Sequence, residues 1–284
     1  MVDLDPNDLP ITDTGAPAIG GLVSTARFGR LPDGREVVVK RAGDRVGALE
    51  ELAHEAAVLH LLAGRCRAPA VVAEGPDVLV LERLTGRVEL SAWSPRLRDR
   101  YVRMLGEIHD LDGAVAEVLE PWSTWVEPDA EPPDWSADPG LWAEAIELAG
   151  SEPPPARAVF CHRDIHPGNV LVDGADPRIT GVIDWGAAVA APAAVDLAHL
   201  AHNLACLHGV DTARDMVAAY RVAAQRRGVA VDDLDDPYWW AHEILSWLPD
   251  PAHILPPWSP ARPDLTAPLV RRRSQDLLRW ALAR

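Results

Sequence analysis

The segment 159–184, which reads VFCHRDIHPGNVLVDGADPRITGVID, constrains the fold more than any other part of the chain. It contains two β-favouring runs, residues 170–172 and 179–183, which are separated by turn-forming residues. This spacing predicts a β-hairpin. Asn169 precedes the first run and Asp184 follows the second, so we expect the hairpin to bring their side chains close together.

The polar residues of this segment suit a hard cation. Asp164 lies on the loop before the hairpin, and a compact His-Pro-Gly stretch separates it from Asn169. Amide and carboxylate oxygens such as those of Asn169 and Asp184 are ligands that Mg²⁺ takes when phosphate oxygens and water complete its shell. The sequence therefore predicts a magnesium site at Asn169 and Asp184, with Asp164 nearby.

A zinc site is an alternative in the same segment. His162, Asp164 and His166 alternate along the chain, so on a strand all three could face one way and bind zinc. The oxygen donors of the hairpin favour the hard cation, because transition metals prefer softer ligands. His199 and His202 lie three residues apart on a predicted helix without an evident third ligand, and we leave them outside the site.

Lys40 is the only lysine among the 27 basic residues of the chain. It ends a run of three valines, and turn-forming residues at 32–34 precede that run, so Lys40 is predicted to lie on the second strand of a hairpin. A lysine ammonium and an arginine guanidinium are not interchangeable against phosphate oxygens in a confined site. The single lysine therefore indicates a specific role; the alternative is a lysine retained without one.

Residues 44–64 have helical periodicity, with a carboxylate on the apolar face. The apolar residues of that face are Ala48, Leu52, Ala56, Leu59 and Leu62. Glu55 projects between them, and a buried carboxylate requires a cation. Lys40 is the candidate partner. An edge position from which Glu55 reaches solvent is the alternative.

The remaining periodicity predicts two lobes. Strand-like runs at 71–73 and 78–81 flank a turn, and helical patterns dominate from about residue 95 onward. A length of 284 residues also exceeds the usual size of a single core. We predict an α+β protein in which residues 1–86 form a small antiparallel sheet with one main helix and residues 87–284 form a larger, mostly helical lobe.

The formal net charge of −16 opposes binding to phosphate backbones and to anionic lipid surfaces. We expect no nucleic acid or membrane partner, and we infer no protein partner from the sequence. The three cysteines have no metal or redox spacing, and the acidic first residues do not resemble a signal peptide, so we expect a cytoplasmic protein. Thirteen acids and no Lys or Arg lie within residues 105–156.

The motifs HRDIHPGN at 162–169 and IDWG at 183–186 resemble the catalytic and metal-binding loops of the aminoglycoside phosphotransferase and choline kinase family. VVVK ending at Lys40, and then Glu55 on the next helix, follow in the family's order. The resemblance covers nearly the whole chain and implies a protein-kinase-like fold. It further implies Mg²⁺-dependent transfer of the γ-phosphate of ATP or GTP to a hydroxyl of a small, amine-bearing molecule such as an aminoglycoside.

The resemblance also implies a role for each residue, by the kinase pattern of phosphoryl transfer. Asp164 would accept the proton of the acceptor hydroxyl. Asn169 and Asp184 would hold Mg²⁺ on the nucleotide phosphates. Lys40 would bind the α- and β-phosphates, and Glu55 would hold Lys40 in place.

Further nucleotide contacts are implied at the hinge and at the phosphate loop. Glu82 and Leu84 correspond to the hinge, and Ser24 and Thr25 belong to a loop that also offers Gly15, Gly20 and Gly21. This loop departs from the GxGxxG pattern. A second departure is Arg163, which stands where many small-molecule kinases of the family have glycine.

Three other functions compete with this interpretation. A protein kinase needs a peptide-docking activation segment, but only 11 residues separate Asp184 from Asp196. A catalytically inactive nucleotide-binding module of the same fold is the second alternative. A kinase for a metabolite such as choline, an amino sugar or a homoserine-like compound also remains open.

Two tryptophan-rich regions are candidates for binding the acceptor. Residues 105–156 contain Trp122, Trp125, Trp135 and Trp142 among their acids, and Trp239, Trp240 and Trp247 form a later cluster. Carboxylates and indole faces both attract amines. The alternative is that these tryptophans pack in the helical core.

Overall fold

The computed structural model describes residues 10–17, 24–111, 119–174, 176–229 and 231–284. The chain divides into two compact units, one formed by Met1–Arg87 and Asn169–Ala188 and the other by Val88–Gly168 and Val189–Arg284. The first unit therefore includes the segment 169–188, which the sequence-based division had grouped with the helical lobe.

The first unit contains an antiparallel sheet whose described strands pair in the order β1-β2-β3-β5-β4. The strands are β1 (Thr12–Pro17), β2 (Ser24–Arg30), β3 (Glu36–Ala42), β4 (Val71–Glu74) and β5 (Val78–Glu82). The predicted turn between β2 and β3 is confirmed: the Gly34 N–H donates to the Leu31 carbonyl at 2.9 Å. The Asp33 Oδ1 accepts from the Arg35 N–H at 3.0 Å, which is typical turn chemistry for aspartate.

Helix α1 (Ala48–Leu62) packs on β3, β4 and β5. It begins four residues after the predicted start, because Gly47 has a φ of 86°, which a helical residue cannot adopt. The buried residues of α1 are Ala48, Leu52, Glu55, Ala56, Val58, Leu59 and Leu62. The predicted apolar face is therefore confirmed, with Glu55 inside it.

The predicted hairpin is formed by β8 (Val170–Asp173) and β9 (Arg178–Val182), and the short strand β6 (Arg87–Val88) extends this sheet in the order β6-β8-β9. Backbone and side-chain contacts join the hairpin to the rest of the first unit. The Val182 N–H donates to the Arg67 carbonyl at 2.8 Å, and the Arg67 guanidinium donates to the Ile179 carbonyl. These contacts explain why the hairpin groups with the sheet rather than with the helices that surround it in sequence.

Gly86 has a φ of 111°, and a Cβ added there would lie 2.4 Å from Thr180 Oγ1 and 3.0 Å from the Val172 carbonyl oxygen. Gly86→Ala is therefore expected to combine a backbone cost of about 1–2 kcal/mol with a steric cost of about 1–3 kcal/mol. Gly34→Ala is the matched control, since its φ is 89° but no atom lies within 4 Å of the added Cβ. Urea unfolding of both variants measures the difference, and equal losses would contradict the steric argument.

The second unit is mostly helical, as predicted. Its helices are α2 (Pro95–His109), α3 (Pro139–Ala149), α4 (Ala193–His208), α5 (Val210–Arg226), α6 (Pro237–Leu245), α7 (Leu255–Trp258) and α8 (Ala267–Leu282), with 3₁₀ turns at Asp232–Asp235 and Pro251–Ile254. Strands β7 (Val159–Cys161) and β10 (Val189–Ala191) pair antiparallel. Almost every residue of α4 is buried, and α5, α6 and α8 pack around it.

The tryptophan-rich stretch before α3 contains turns and extended backbone rather than helices. Trp142 is fully buried, and Trp135 packs on it while donating its Nε1 hydrogen to the Pro249 carbonyl at 2.8 Å. Trp239 and Trp240 are also buried. These tryptophans belong to the core of the second unit. Among the described residues, no helix combines the length and the apolar character that crossing a membrane requires.

Candidate active site

Lys40 is held by two carboxylates in the first unit. Its Nζ lies 2.5 Å from Glu55 Oε2 and 2.8 Å from Asp184 Oδ1. Lys40 and Glu55 are 8% and 2% exposed, which excludes the alternative that Glu55 reaches solvent. The predicted ion pair between β3 and α1 is therefore confirmed, and Asp184 is a second partner that the helical periodicity alone did not predict.

The electrostatics of this cluster favour the ammonium form of Lys40. Burial lowers its pKa, but attraction to Glu55 and Asp184 outweighs burial, so the pKa is raised above its ordinary value. Burial raises the pKa of Glu55, and the neighbouring ammonium opposes that shift. Two carboxylates around one ammonium give the cluster a local excess of negative charge that a cation can offset.

Asn169 and Asp184 lie at the same end of the hairpin. The ladder continues one step beyond Val170 and Val182, because the Ile183 N–H donates to the Asn169 carbonyl at 2.9 Å. Asp184 then adopts a φ of 66°, a left-handed conformation that is uncommon outside glycine and that occurs often at functional sites. The indole of Trp185, which is fully buried and donates to the Val182 carbonyl at 2.9 Å, anchors this turn.

The donor set at this end of the hairpin fits Mg²⁺. Asn169 offers an amide oxygen and Asp184 a carboxylate that is 29% exposed, and oxygen donors of this kind are the ligands of hard cations. Lys40 already contacts the Asp184 carboxylate, which places its ammonium beside the candidate metal ligands. The residues present are therefore compatible with a magnesium nucleotide.

The loop that carries Asp164 is fixed by Asp196 of α4, in the second unit. The Asp196 carboxylate accepts from the His162 N–H at 3.1 Å and the Arg163 N–H at 2.6 Å, and it contacts His109 Nε2 at 3.0 Å. Although burial raises the pKa of Asp196, these partners hold it below the usual range. Asp196 thus braces the loop backbone.

Arg163 adopts a φ of 68°, a left-handed conformation that favours the glycine expected from the resemblance. Glycine adopts this conformation without strain, whereas arginine pays a steric penalty that its contacts must offset. The Arg163 guanidinium lies 3.8 Å above the ring of Trp125 and donates to the Ser123 carbonyl. The arginine therefore links the loop to the tryptophan-rich stretch.

Two histidines contact the Asp164 carboxylate. His199 Nε2 lies 3.1 Å from Asp164 Oδ1, and His166 Nε2 lies 3.7 Å from the same oxygen. The Gly168 N–H donates to His166 Nδ1 at 3.0 Å, so a neutral His166 carries its proton on Nε2, facing Asp164. A Cβ on Gly168 would lie 2.4 Å from His166 Cε1, so this ring position requires glycine at 168.

The charges around Asp164 stabilise its ionised form. Burial raises the pKa of Asp164, but His166, His199 and His162 together lower it well below its usual range. Burial lowers the pKa of His199, but Asp164 and Glu243 outweigh burial and raise it to about 10. Glu243 Oε2 lies 3.3 Å from His199 Nδ1.

Sequence reasoning missed His199 and Glu243. His199 was set aside because it had no third metal ligand, but its partners are two carboxylates rather than a metal. A signal was available: His199 lies on a helix made mostly of alanine and leucine, and a buried imidazole, like the buried Glu55, requires partners. His166 was treated as a loop-shortening residue, whereas its ring also contacts Asp164.

The zinc alternative has no support in the described parts of the chain. There, the one group of three potential ligands whose donor atoms lie within 4.8 Å of one another is His109, Cys161 and Asp196. This group differs from the predicted trio, and its His109 and Asp196 are already engaged with each other.

The remaining predicted nucleotide contacts stay predictions. Thr25 is exposed on β2, Glu82 is exposed at the end of β5, and Leu84 packs against Gly181. Gly20 and Gly21 of the phosphate loop, and the side chain of Ser24, lie outside the described residues.

The segment between Asp184 and Asp196 contains only β10 and the start of α4. Strand β10 pairs with β7, and most of the residues in this segment are buried. The structure thus agrees with the sequence in offering no extended activation segment of the protein-kinase type.

Residues 16–230 match the family model described as the phosphotransferase enzyme family. An aminoglycoside 3'-phosphotransferase of Streptomyces fradiae is 31% identical over an alignment of 159 positions, and the match covers 48% of this chain and 58% of that protein. The match thus spans less than two thirds of the length of this curated relative.

Solved structures are similar over most of the chain. An aminoglycoside-3'-phosphotransferase of type VIII is 25% identical with a TM-score of 0.59, covering 84% of this chain and 92% of that one. The macrolide 2'-phosphotransferase of Brachybacterium faecium is 18% identical with a TM-score of 0.59, covering 95% and 94%. The chain belongs to the phosphotransferase enzyme family, and the predicted α+β, protein-kinase-like fold is confirmed.

Proposed function

We propose that this protein is a Mg²⁺-dependent phosphotransferase that moves the γ-phosphate of ATP or GTP to a hydroxyl of a small, amine-bearing molecule such as an aminoglycoside. The observation that supports the proposal most is the contact of one buried ammonium, Lys40, with both Glu55 and Asp184. This is the arrangement in which kinases place a phosphate-binding lysine between its positioning glutamate and a metal-binding aspartate.

The chain's own residues supply alignment and charge. Lys40, held by Glu55, binds the α- and β-phosphates. Asp164, kept ionised by His166 and His199, accepts the proton of the acceptor hydroxyl as that oxygen bonds to the γ-phosphorus. The bond from the γ-phosphorus to the β–γ bridging oxygen breaks in the same step, and ADP or GDP leaves. When bound by Asn169 and Asp184, Mg²⁺ would neutralise the charge of the phosphate oxygens.

The acceptor is proposed from the charge of the second unit. The stretch before α3 presents exposed acids, namely Glu127, Asp129, Glu131 and Asp134. Of the neighbouring tryptophans, Trp125 is 41% exposed and lies beside Arg163 of the Asp164 loop. A negative surface with an accessible indole favours an amine-bearing acceptor.

Two alternatives remain, and an acceptor screen separates them. Purified protein is incubated with γ-labelled ATP or GTP, Mg²⁺ and one of a panel of aminoglycosides, macrolides, choline, ethanolamine or amino sugars. Label transferred to an aminoglycoside supports the proposal, and transfer only to choline or an amino sugar supports the metabolite kinase. Nucleotide binding without transfer to any acceptor supports an inactive module, although Asp164, Asn169, Asp184 and Lys40 are each chemically competent.

Asp184→Ala is expected to remove the dependence of nucleotide affinity on Mg²⁺. In the unaltered protein, calorimetric titration with a non-hydrolysable ATP analogue should give tighter binding with Mg²⁺ than with EDTA, whereas the variant should bind equally weakly in both. Asp173→Ala is the control, because Asp173 is exposed at the other end of the same hairpin. An unchanged Mg²⁺ effect in Asp184→Ala would place the metal elsewhere.

A further inference from the structure

Asp164, His199 and Glu243 form a hydrogen-bonded triad in the second unit, in which an imidazole lies between two carboxylates. Asp164 Oδ1 contacts His199 Nε2 at 3.1 Å, and His199 Nδ1 contacts Glu243 Oε2 at 3.3 Å. The three side chains come from the loop after β7, from α4 and from α6. His199 and Glu243 are 4% and 3% exposed, so both side chains are shielded from water.

The geometry determines the protonation of the ring. Ionised carboxylates only accept hydrogen bonds, so an imidazole with a carboxylate at each nitrogen satisfies both contacts when both of its nitrogens carry protons. The raised pKa of His199 agrees with this. The three side chains then carry two negative charges and one positive charge.

Within the described residues, the Glu243 carboxylate contacts His199, and the Arg163 guanidinium attracts it electrostatically. Its neighbours on α6, Ala241, Ile244 and Leu245, are buried and apolar. Burying a carboxylate there costs several kcal/mol unless a cation or hydrogen bond compensates. The position is therefore explained by the imidazolium that Glu243 stabilises.

Bracing of the loop does not explain the presence of His199 and Glu243 either. Asp196 already fixes the loop through the backbone N–H groups of His162 and Arg163. His199 instead contacts the side chain of Asp164, whose carboxylate is the proposed proton acceptor.

We propose that His199 and Glu243 are positioning residues for phosphoryl transfer: His199 holds the Asp164 carboxylate in the orientation that accepts the proton, and Glu243 keeps the His199 ring doubly protonated and correctly turned. This inference rests on the proposed function of Asp164. It adds two residues from α4 and α6 to the site, and it makes the orientation of the carboxylate depend on two helices that carry none of the proposed metal or nucleotide ligands.

The charged and titratable groups near His199 are few. Asp164 and His166 face it from the loop, Glu243 from α6, and His202 lies one turn further along α4. Its other ring neighbours are Trp125 and Trp247, which do not titrate in the range of the experiments.

Kinetics of His199 variants test the positioning role. His199→Ala should lower kcat by about 10- to 100-fold and leave KM for ATP within twofold, because the nucleotide contacts are not altered. His199→Gln, whose amide can still donate toward Asp164, should recover most of the loss. His202→Gln is the matched control, since this buried histidine on the same helix hydrogen-bonds Ser274 at 2.8 Å and lies against Trp247.

Glu243→Gln tests the charge separately from the packing. Loss of one carboxylate should lower the pKa of His199 from about 10 toward its ordinary 6.5. Above the new pKa the ring loses its second proton, and with Nδ1–H donated to the glutamine oxygen, Nε2 can no longer donate to Asp164. The kcat of this variant should therefore fall with rising pH between about 7 and 9, where kcat of the unaltered protein should not show this ionisation. A merely structural role would lower stability without adding an ionisation.

A readout without turnover separates this inference from the proposed function. NMR titration of the histidine ring nitrogens should show His199 doubly protonated at pH 8 in the unaltered protein and singly protonated in Glu243→Gln. If no acceptor is phosphorylated while His199 titrates as described, the proposed function is wrong. Asp164, His199 and Glu243 are then a charge network without a catalytic role. If the protein is active but His199→Ala retains full kcat, or His199 titrates near 6.5 in the unaltered protein, the positioning role is wrong.

Discussion

Asp164→Asn is expected to lower kcat by about 10²- to 10⁴-fold while ATP binds with nearly unchanged affinity. The amide has the size of the carboxylate and can present its oxygen to His199, so the loop should keep its conformation. It cannot accept a proton. Catalysis that remains would come from alignment and from the charges that stabilise the transferring phosphoryl group.

The measurement pairs steady-state phosphate transfer with calorimetric titration of nucleotide. Asp99→Asn makes the same change on α2, where the side chain is 61% exposed and pairs with Arg98 at 2.7 Å, and it should leave both quantities unchanged. A kcat for Asp164→Asn within tenfold of the unaltered protein would remove Asp164 from its role. Loss of nucleotide binding would instead show that Asp164 supports the fold of the site.

Lys40→Arg is the second large effect: kcat/KM for ATP should fall at least about 10²-fold although the charge is conserved. The Lys40 ammonium is a compact donor between carboxylates at 2.5 and 2.8 Å in a buried site. A planar guanidinium is larger and prefers bidentate contacts, so it would displace Glu55, Asp184 or the phosphates that Lys40 should bind.

The adjacent position on β3 offers a matched control. Arg41 is 48% exposed and lies 3.5 Å from Asp77, so Arg41→Lys makes the reverse exchange at a surface ion pair, where the energetic effect should be small. Thermal unfolding of both variants distinguishes a loss of fold from a loss of activity. If Lys40→Arg keeps its activity, the single lysine of the sequence is incidental.

Much of the first unit was predictable because its determinants are local. The β2–β3 turn, the β8–β9 hairpin and the face of α1 each follow from residues close together in sequence. The Lys40–Glu55 pair was predictable because a carboxylate on an apolar face requires a cation. The resemblance to a kinase family then ordered these pieces into a site.

The parts that could not be predicted depend on contacts between distant elements. Glu243 follows His199 by 44 residues, and nothing in the periodicity of α4 or α6 shows that these helices face each other at those positions. The grouping of the β8–β9 hairpin with the first unit likewise depends on Arg67 and on Leu84, far away in sequence. Similarly, the sequence pattern of the tryptophans could not separate buried rings such as Trp142 and Trp240 from the exposed ring of Trp125, because burial depends on packing between distant elements.

The solitary lysine gives this sequence an internal chemical reporter. Besides the α-amino group, Lys40 is the one amine in the sequence that an acylating reagent can modify, and its nitrogen is enclosed by two carboxylates. Its rate of acylation therefore measures how often that enclosure opens. A nucleotide that covers the amine should slow the reaction, so labelling at a single position, read by mass spectrometry, would record occupancy of the site in a complex mixture.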